Sequence, residues 1–380
     1  MVRIAIVGGG IGGLTTALTL REFGFESEVY EQAPALLDVG AAIAIWPNAM
    51  RVLERIKLTE MVREHSGAIE EINWLDRRGQ LLNRVSIRNA VALHRADLQS
   101  ILLHALPPGR IKLDHSLVSC RQANDKVFAT FANGETSESD LLIGADGIHS
   151  DARALLLADG QPTYRGYTVW RAISLAAPSP LPTGTAIEIH GRGLRFGIGP
   201  VGAGKIGWWA AANASTPDHS SGDEARIKLL HLFKDWYRPA LELIEATPSY
   251  SILTTPAFDR EPTRKWGDRR ITLLGDAIHP TTPNFGQGGC LAMEDAAVLA
   301  RCFEKYGANE EALRKYEGCR FERTAAITKY SRLYGTIGQS ENLALRISKH
   351  ILLPLAPESI LQRLMQIVFD YDATELFLIG

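Results

Sequence analysis

Gly8-x-Gly10-x-x-Gly13, set directly after the aliphatic run of residues 2–7, constrains this chain more than any other feature of its sequence. Such a run reads as a strand buried on both faces, and residues 11–23 then carry apolar side chains at helical spacing. Residues 27–30 read as the next strand. Strand, helix and strand in this order demand a right-handed parallel crossover, the opening unit of a dinucleotide fold. Each glycine has its reason: a tight turn, close approach of a pyrophosphate to bare backbone, and close packing of helix on strand. Free N–H groups and the positive end of the helix dipole then meet the phosphates. Glu31 follows Gly13 by 18 positions, at the end of the second strand. There a carboxylate accepts from both ribose hydroxyls and disfavours a 2′-phosphate. The competing reading of the run is a Gly-rich structural turn.

At 380 residues the chain is too long for one minimal core, so two mixed domains sharing an interface, and hence a cleft, are expected. With 46% hydrophobic residues, 22% charged and a formal net charge of −2, no global field points to nucleic acid or to an anionic membrane. The first residues carry none of the features of a secretory signal, which predicts a cytoplasmic protein. Cys120, Cys290, Cys302 and Cys319 form no C-x-x-C pair and show no metal-like spacing, so reduced thiols are expected, with no disulfide and no zinc. The longest apolar stretches fall far below the roughly 18 to 20 residues needed to span a bilayer.

Beyond the opening unit, a loop with Pro34, Gly40 and Pro47 leads to a helix over residues 48–56, and residues 60–71 read as a helix end and turn. A helix over 96–106 stops at Pro107, Pro108 and Gly109. Short alternating strands follow, with a hairpin turn at Asn133-Gly134, and residues 140–144 return to the parallel sheet. Between about 164 and 258 short strands dominate, at 168–172, 186–190, 195–198 and 206–212, broken by one helix over 222–236. The strand at 271–274 resumes the first domain, and a helix over 291–306 opens a mostly helical C-terminal third. The expected division is a nucleotide domain over 1–70, 96–160 and 263–330, substrate-side strands over 71–95, a β-rich substrate module over 161–262, and C-terminal helices over 331–380. The amphipathic stretch from 352 to 377 suits a core-capping helix pair, with a cover for the substrate mouth, a dimer contact or a lipid contact as alternatives.

Two further segments carry chemistry. The first is Asp140-Leu-Leu-Ile-Gly144-Ala-Asp146-Gly147, and the second is Leu-Leu-Gly275-Asp276-Ala-Ile-His279-Pro280, followed by Pro283-Asn284-Phe285-Gly286-Gln287-Gly288-Gly289 and a helix. Both put a glycine and a carboxylate where a strand meets the nucleotide crevice. An Asp at such a place suits the ribityl hydroxyls of a flavin, whereas NAD has no ribityl chain. The glycine run lets backbone approach a flat ring, and the helix after it presents a fixed partial positive charge that favours an anionic reduced flavin. Taken alone, each Gly-Asp pair also reads as a plain turn.

GGGIGGLTTALTL with Glu31, GADGIHSDAR and LLGDAIHPTTPNFGQGGCLAMEDA together resemble the dinucleotide, DG and GD motifs of the class A flavoprotein monooxygenases, the para-hydroxybenzoate hydroxylase family. GAAIAIWPNAM and LHRADLQ are similar to family segments too, so the resemblance covers residues 2–323 and is weakest in the β-module and the tail. The wording GQGGC and MEDA is similar to the urate hydroxylase, salicylate hydroxylase and zeaxanthin epoxidase branches. The resemblance implies an α/β fold, with a Rossmann-like FAD-binding domain, an inserted β-sheet substrate domain and a helical C-terminus. It implies FAD bound without covalent attachment, NAD(P)H as a transient co-substrate, and a C4a-hydroperoxyflavin that delivers oxygen from O2. The cofactor-binding set it implies is Gly8, Gly10, Gly12, Gly13, Glu31, Gln32, Ala42, Arg95, Asp146, Gly275, Asp276, Pro283, Gly286, Gln287, Gly288 and Gly289. Within that set Glu31 meets the adenosine ribose, Arg95 lies along the pyrophosphate and ribityl chain, Asp146 is tied to both FAD and NAD(P)H, and residues 283–289 line the isoalloxazine.

The expected activity is hydroxylation or epoxidation of a small aromatic or other electron-rich compound. The cofactor carries most of that chemistry, so no catalytic acid, base or triad is assigned. Arg195 aligns with an arginine that contacts substrate in the urate hydroxylase branch, and a buried guanidinium there suits an anionic or carbonyl-bearing compound. The alternative for Arg195 is a surface strand residue. Trp209, Phe285 and Pro283 are the other substrate-side candidates, and Trp170 and Trp208 either wall an aromatic pocket or belong to plain core. Where that branch has a tyrosine, this chain has Gly207 followed by Trp208 and Trp209, which counts against urate itself. Other FAD-dependent oxidoreductases on this scaffold, of halogenase or prenyl-lipid reductase type, and a flavin-free binding protein are the competing readings. A halogenase carries W-x-W-x-I-P, and Trp208-Trp209 lacks that spacing. The expected partners are a small molecule and O2, with no nucleic acid, as a monomer or homodimer.

Overall fold

The computed structural model describes residues 2–35, 40–174 and 181–375. The opening aliphatic run forms strand Ile4–Val7, buried along its whole length, and the helix Ile11–Glu22 carries the chain across to strand Ser27–Tyr30. Both neighbours of Ile4–Val7 run parallel to it: Ser27–Tyr30 on one side and Leu141–Gly144 on the other. Ile271–Leu273 extends this parallel set, Ile111–Lys112 closes one edge, and the antiparallel Gly267–Asp268 closes the other. Aliphatic residues fill the central strands because both faces are covered, and each fully buried Val, Leu or Ile contributes roughly 1.5–3 kcal/mol.

A second sheet of eight strands forms the other half of the molecule. Its centre is antiparallel, with Thr163–Ser174, Lys205–Asn213, Leu194–Gly202 and Thr185–His190 in successive contact, and the long hairpin Gly67–Asp76 and Leu81–His94 extends it. Strand Ala42–Ile45 closes the far edge. The sheet curls, since Thr163–Ser174 also touches Ala42–Ile45 from the opposite end. A small sheet of Leu117–Ala123, Lys126–Phe131 and Thr136–Ser139 flanks the parallel one, with the hairpin turn at Asn133-Gly134 as expected.

Four local expectations need correction. Residues 60–71 are not a helix end and turn alone: helix Thr59–Glu64 is followed by strand Gly67–Asp76, in which the adjacent Glu70 and Glu71 hide the alternation. The loop before Pro47 contains the edge strand Ala42–Ile45, too short to show a period. The helix expected over 222–236 ends at Phe233, and a second one, Arg238–Ala246, starts with Pro239 in its first turn, where a missing N–H costs nothing. The tail forms helices Leu343–Leu355 and Glu358–Phe369, of which the second buries Leu361, Val368 and Phe369 in the core while the first only rests half-buried Leu353 against it, so the two cap the core unequally. Residues 376 and 377 of that stretch lie outside the described residues.

Candidate active site

All three glycine-and-acid segments leave the parallel sheet at the C-terminal ends of adjacent strands, the edge where open α/β sheets take their ligands. Gly8 has φ of +111°, and a Cβ there would lie 2.4 Å from the carbonyl oxygen of Ala145. At Gly13 a Cβ would come within 1.9 Å of the Gly8 carbonyl oxygen, so helix and strand meet at a distance only glycine allows. Glu31 is fixed by two backbone donors: Gly9 N–H gives to Oε2 at 2.6 Å and Ala33 N–H to Oε1 at 2.9 Å. Gln32 stands exposed beside it.

Two helices point their N-termini into one cavity of about 620 Å³. Ile11–Glu22 and Gly288–Tyr306 both begin without a side-chain cap and without an acidic residue in the first turn. Their leading N–H groups and dipoles are therefore left for a ligand. Of the expected cofactor residues, Gly10, Gly12, Ala42, Arg95, Gly275, Asp276, Pro283, Gly286, Gly288 and Gly289 line this cavity. Gly8, Gly13, Glu31, Gln32, Asp146 and Gln287 do not; Gly8 and Gly13 shape the turn beneath it. Asp146 instead accepts from the Ser150 hydroxyl and, at 2.9 Å, from Ala152 N–H. Burial outweighs those bonds and pushes its carboxyl up. Asp276 stands exposed where it opens onto the cavity. Desolvation by the surrounding protein, with some repulsion from Asp295, raises its carboxyl despite the pull of His279 and Arg95.

Behind this wall lies an ion network that the motif analysis did not single out. Asp295 accepts from Gly275 N–H at 2.9 Å, from His279 Nε2 at 2.6 Å and from Arg320 Nε at 2.6 Å. Burial opposes its charge, but His279 and Arg320 outweigh burial and hold its carboxyl below the usual carboxylate range. Glu294 takes Arg320 Nη2 at 2.6 Å and Asn48 Nδ2 at 2.6 Å, and Asn48 reaches on to Gln287 Oε1 at 2.9 Å. Arg153 gives Nη1 to the carbonyls of Ala277 and Ile278, joining the second segment to the third. A signal for this existed: adjacent acids inside the otherwise apolar helix Gly288–Tyr306 require internal partners.

The curled sheet supplies the opposite wall. Ile69, Ile72, Val169, Ile187 and Ile198 face the cavity, with Trp209 and Phe285 beside them. Trp170 is not among the lining residues and belongs to a separate core with Phe196, Trp208 and Phe233, although Trp208 also reaches the cavity. Arg195 lines the wall but is only 1% exposed. It gives to Glu188 at 3.0 Å, to Gln339 at 2.9 Å and to the side-chain oxygen of Asn284, and its guanidinium lies over Trp209 and Tyr334. Burial opposes ionisation of Glu188, but His190, Arg195 and the Tyr334 hydroxyl hold its carboxyl down at about 2. Arg171, paired across strands with Trp209, also faces the cavity; its Nη2 gives to the Thr255 hydroxyl at 2.9 Å, and among the described residues its Nε has no partner. Among the described residues no carboxylate offsets its charge, and burial followed by repulsion from Arg95 lowers its pKa.

The donors present fit a flavin dinucleotide. Trp46 Nε1, Thr281 Oγ1 and Gln287 Nε2 are buried without a protein partner, and Trp46 and Thr281 belong to the cavity lining. Open helix ends and Arg95 suit a pyrophosphate, while the glycines at 286, 288 and 289 leave room for a flat ring. The FAD binding domain family matches residues 1–331. Aurachin C monooxygenase/isomerase of Stigmatella aurantiaca is 39% identical over 90% of this chain and 91% of its own length. The 3-amino-4-hydroxybenzoate 2-monooxygenase of Streptomyces cremeus is 33% identical, over 87% of this chain and 86% of its own. Among solved structures, Klebsiella pneumoniae HpxO complexed with FAD and uric acid superimposes with a TM-score of 0.91 at 28% identity, covering 97% of this chain and 96% of that one. The chain therefore belongs to the FAD binding domain family of class A flavin monooxygenases, and it is an FAD-dependent monooxygenase.

Proposed function

We propose that this enzyme spends NAD(P)H and O2 to place one oxygen atom on a small aromatic or other electron-rich compound, by hydroxylation or epoxidation, inside the cavity between the two sheets. The observation that carries this reading is the meeting of a glycine-lined, N–H-rich floor with an apolar, aromatic wall around a single space of about 620 Å³. When bound, FAD supplies the hydride acceptance and the oxygen activation. The residues around it bind, orient and exclude water. Gly8 to Gly13 let the pyrophosphate reach bare backbone, Arg95 and the two helix N-termini balance its charge, and Glu31, already oriented by Gly9 and Ala33, accepts from the adenosine ribose. Asp276 takes the ribityl side, Ala42, Pro283 and the glycines at 286, 288 and 289 border the ring, and Gln32, Gln287 and Asp146 support the set from behind. The isoleucines of the opposite wall keep water from the reacting centre.

On the substrate side, the roles of the two arginines divide. Arg195 is neutralised by Glu188 and holds Asn284, so it shapes the wall together with Trp209, Phe285 and Pro283. Arg171 keeps an uncompensated charge toward the cavity and is the better anchor for a carboxylate or enolate oxygen. The relatives named for 3-amino-4-hydroxybenzoate and solved with uric acid support a planar, oxygen-bearing substrate. The test is a panel of hydroxylated benzoates, pyridines and purines added to the yellow holoenzyme, following NAD(P)H oxidation and product mass under isotopically labelled O2. One labelled oxygen per product supports the reading. Substrate turnover with no label would assign a different FAD-dependent oxidoreductase activity.

A further inference from the structure

The C-terminal helices leave much of their apolar surface uncovered, the first of them almost all of it. Of the 18 large apolar side chains that stand exposed among the described residues, nine lie between residues 343 and 367, so this surface is concentrated rather than scattered. Leu343, Ile347, Ile351 and Leu355 recur every fourth residue and form one exposed stripe along helix Leu343–Leu355, which buries none of its residues. Helix Glu358–Phe369 continues the surface with Ile360, Leu364 and Ile367, while its other side sends Met365 and Phe369 into the substrate cavity.

The polar side of the first helix is basic. Arg346, Lys349 and His350 line a hollow of about 200 Å³ together with Arg77, Arg78 and His190. The groups that face it are otherwise Asp76, whose carboxylate is held by the N–H groups of Arg78 and Gln80, and Glu188 beneath His190. Helix Leu343–Leu355 contains no acidic residue. A cationic side set against an apolar side on one surface helix is the pattern that lies in a lipid interface. The net charge of −2 does not oppose this, because charges more than about 8 Å away are screened at physiological salt.

We propose that the C-terminal helix pair seats the enzyme on a membrane surface bearing anionic phospholipid, with a headgroup phosphate in the basic hollow and the leucine and isoleucine stripe at the acyl boundary. This is contact with one leaflet, since no helix of the described residues is long and apolar enough to cross a membrane. A second copy of the chain fits this face less well. An isologous contact would bring each basic rim up to its own image. Seated this way, helix Glu358–Phe369 would stand between the lipid and the substrate cavity.

The test uses the FAD-loaded enzyme and sedimentation with vesicles of phosphatidylcholine alone or mixed with phosphatidylglycerol. Binding is expected to the mixed vesicles, to weaken with salt, and to survive millimolar inorganic phosphate, which separates a lipid surface from a free-phosphate site. Ile351→Glu with Leu355→Glu should abolish it, and Arg77→Glu with Arg346→Glu should weaken it by roughly fivefold or more per residue. All four positions lie outside the active site, so flavin absorbance and unfolding temperature report that these variants fold. No vesicle binding, or binding that both double variants retain, overturns the proposal. A dimer in solution that Ile351→Glu with Leu355→Glu splits overturns it in favour of self-association.

Discussion

The two walls of the cavity are built by different means. The floor is backbone: bare N–H groups at two helix ends and glycines where a Cβ would collide, as at Gly8 and Gly13. The roof is side chains gathered from different elements: Glu188 and Arg195 come from paired strands, and Tyr334 from the helix Glu310–Gly338. A backbone site tolerates few changes and suits a cofactor that stays the same. A side-chain site can be rebuilt one residue at a time, which is how one scaffold comes to serve different substrates.

If the floor depends on its geometry, the largest effect should come from removing what holds it in place rather than from any residue that touches the cofactor. Arg320→Ala leaves Glu294 and Asp295 buried without their principal cation, at a cost of about 3–5 kcal/mol. Urea unfolding should show that loss, together with a paler protein, because Asp295 also holds Gly275. Normal stability in this variant would break the picture of a floor braced from behind. Gly13→Ala comes next: its Cβ would press on the Gly8 carbonyl, and FAD affinity should fall roughly a hundredfold, about 3 kcal/mol. Flavin titration of the stripped protein reads this directly.

The same contrast explains what was legible in advance. Glycine is demanded where backbone must come close, as at Gly8 and Gly13, so the three floor segments could be located from their glycines, with strand and helix order beside them. Their bracing was harder to see, although Arg153, Glu294 and Asp295 all sit inside the quoted motifs; nothing local tells which distant residue a buried acid will meet. Arg320 and Asn48 lie outside the glycine-and-acid segments altogether. On the roof, Arg195 was found through resemblance alone, and its partners Glu188 and Gln339 are set by strand pairing and the long helix Glu310–Gly338, which no local pattern reports. The amphipathic character of residues 352–377 was legible, whereas the exposed stripe that begins at Leu343 was not.

A sharper test of the roof is Arg171→Met, which keeps length and removes charge. If Arg171 anchors an anionic group, KM for a carboxylated substrate should rise roughly thirtyfold, about 2 kcal/mol, with little change for a neutral analogue. Equal losses for both compounds would return Arg171 to the role of a wall residue and erase the division of labour between it and Arg195.

The smallest expected effect lies inside the roof itself. The Tyr334 hydroxyl accepts from Trp74 Nε1 at 3.0 Å and donates to Glu188 Oε2 at 2.8 Å, so Tyr334→Phe removes two bonds and should cost about 1–2 kcal/mol at neutral pH. Glu188 is held at about 2, below its ordinary value of 4.5, so its contribution to stability is fully present above pH 4.5 and is lost as pH falls toward 2. Without the tyrosine hydroxyl its folded pKa moves back up, and the loss is complete at a higher pH. The two proteins should therefore differ most above pH 4.5 and converge as acid protonates Glu188 in both. Parallel unfolding curves across that range would mean that Tyr334 only packs, and that the low pKa of Glu188 rests on its cationic neighbours.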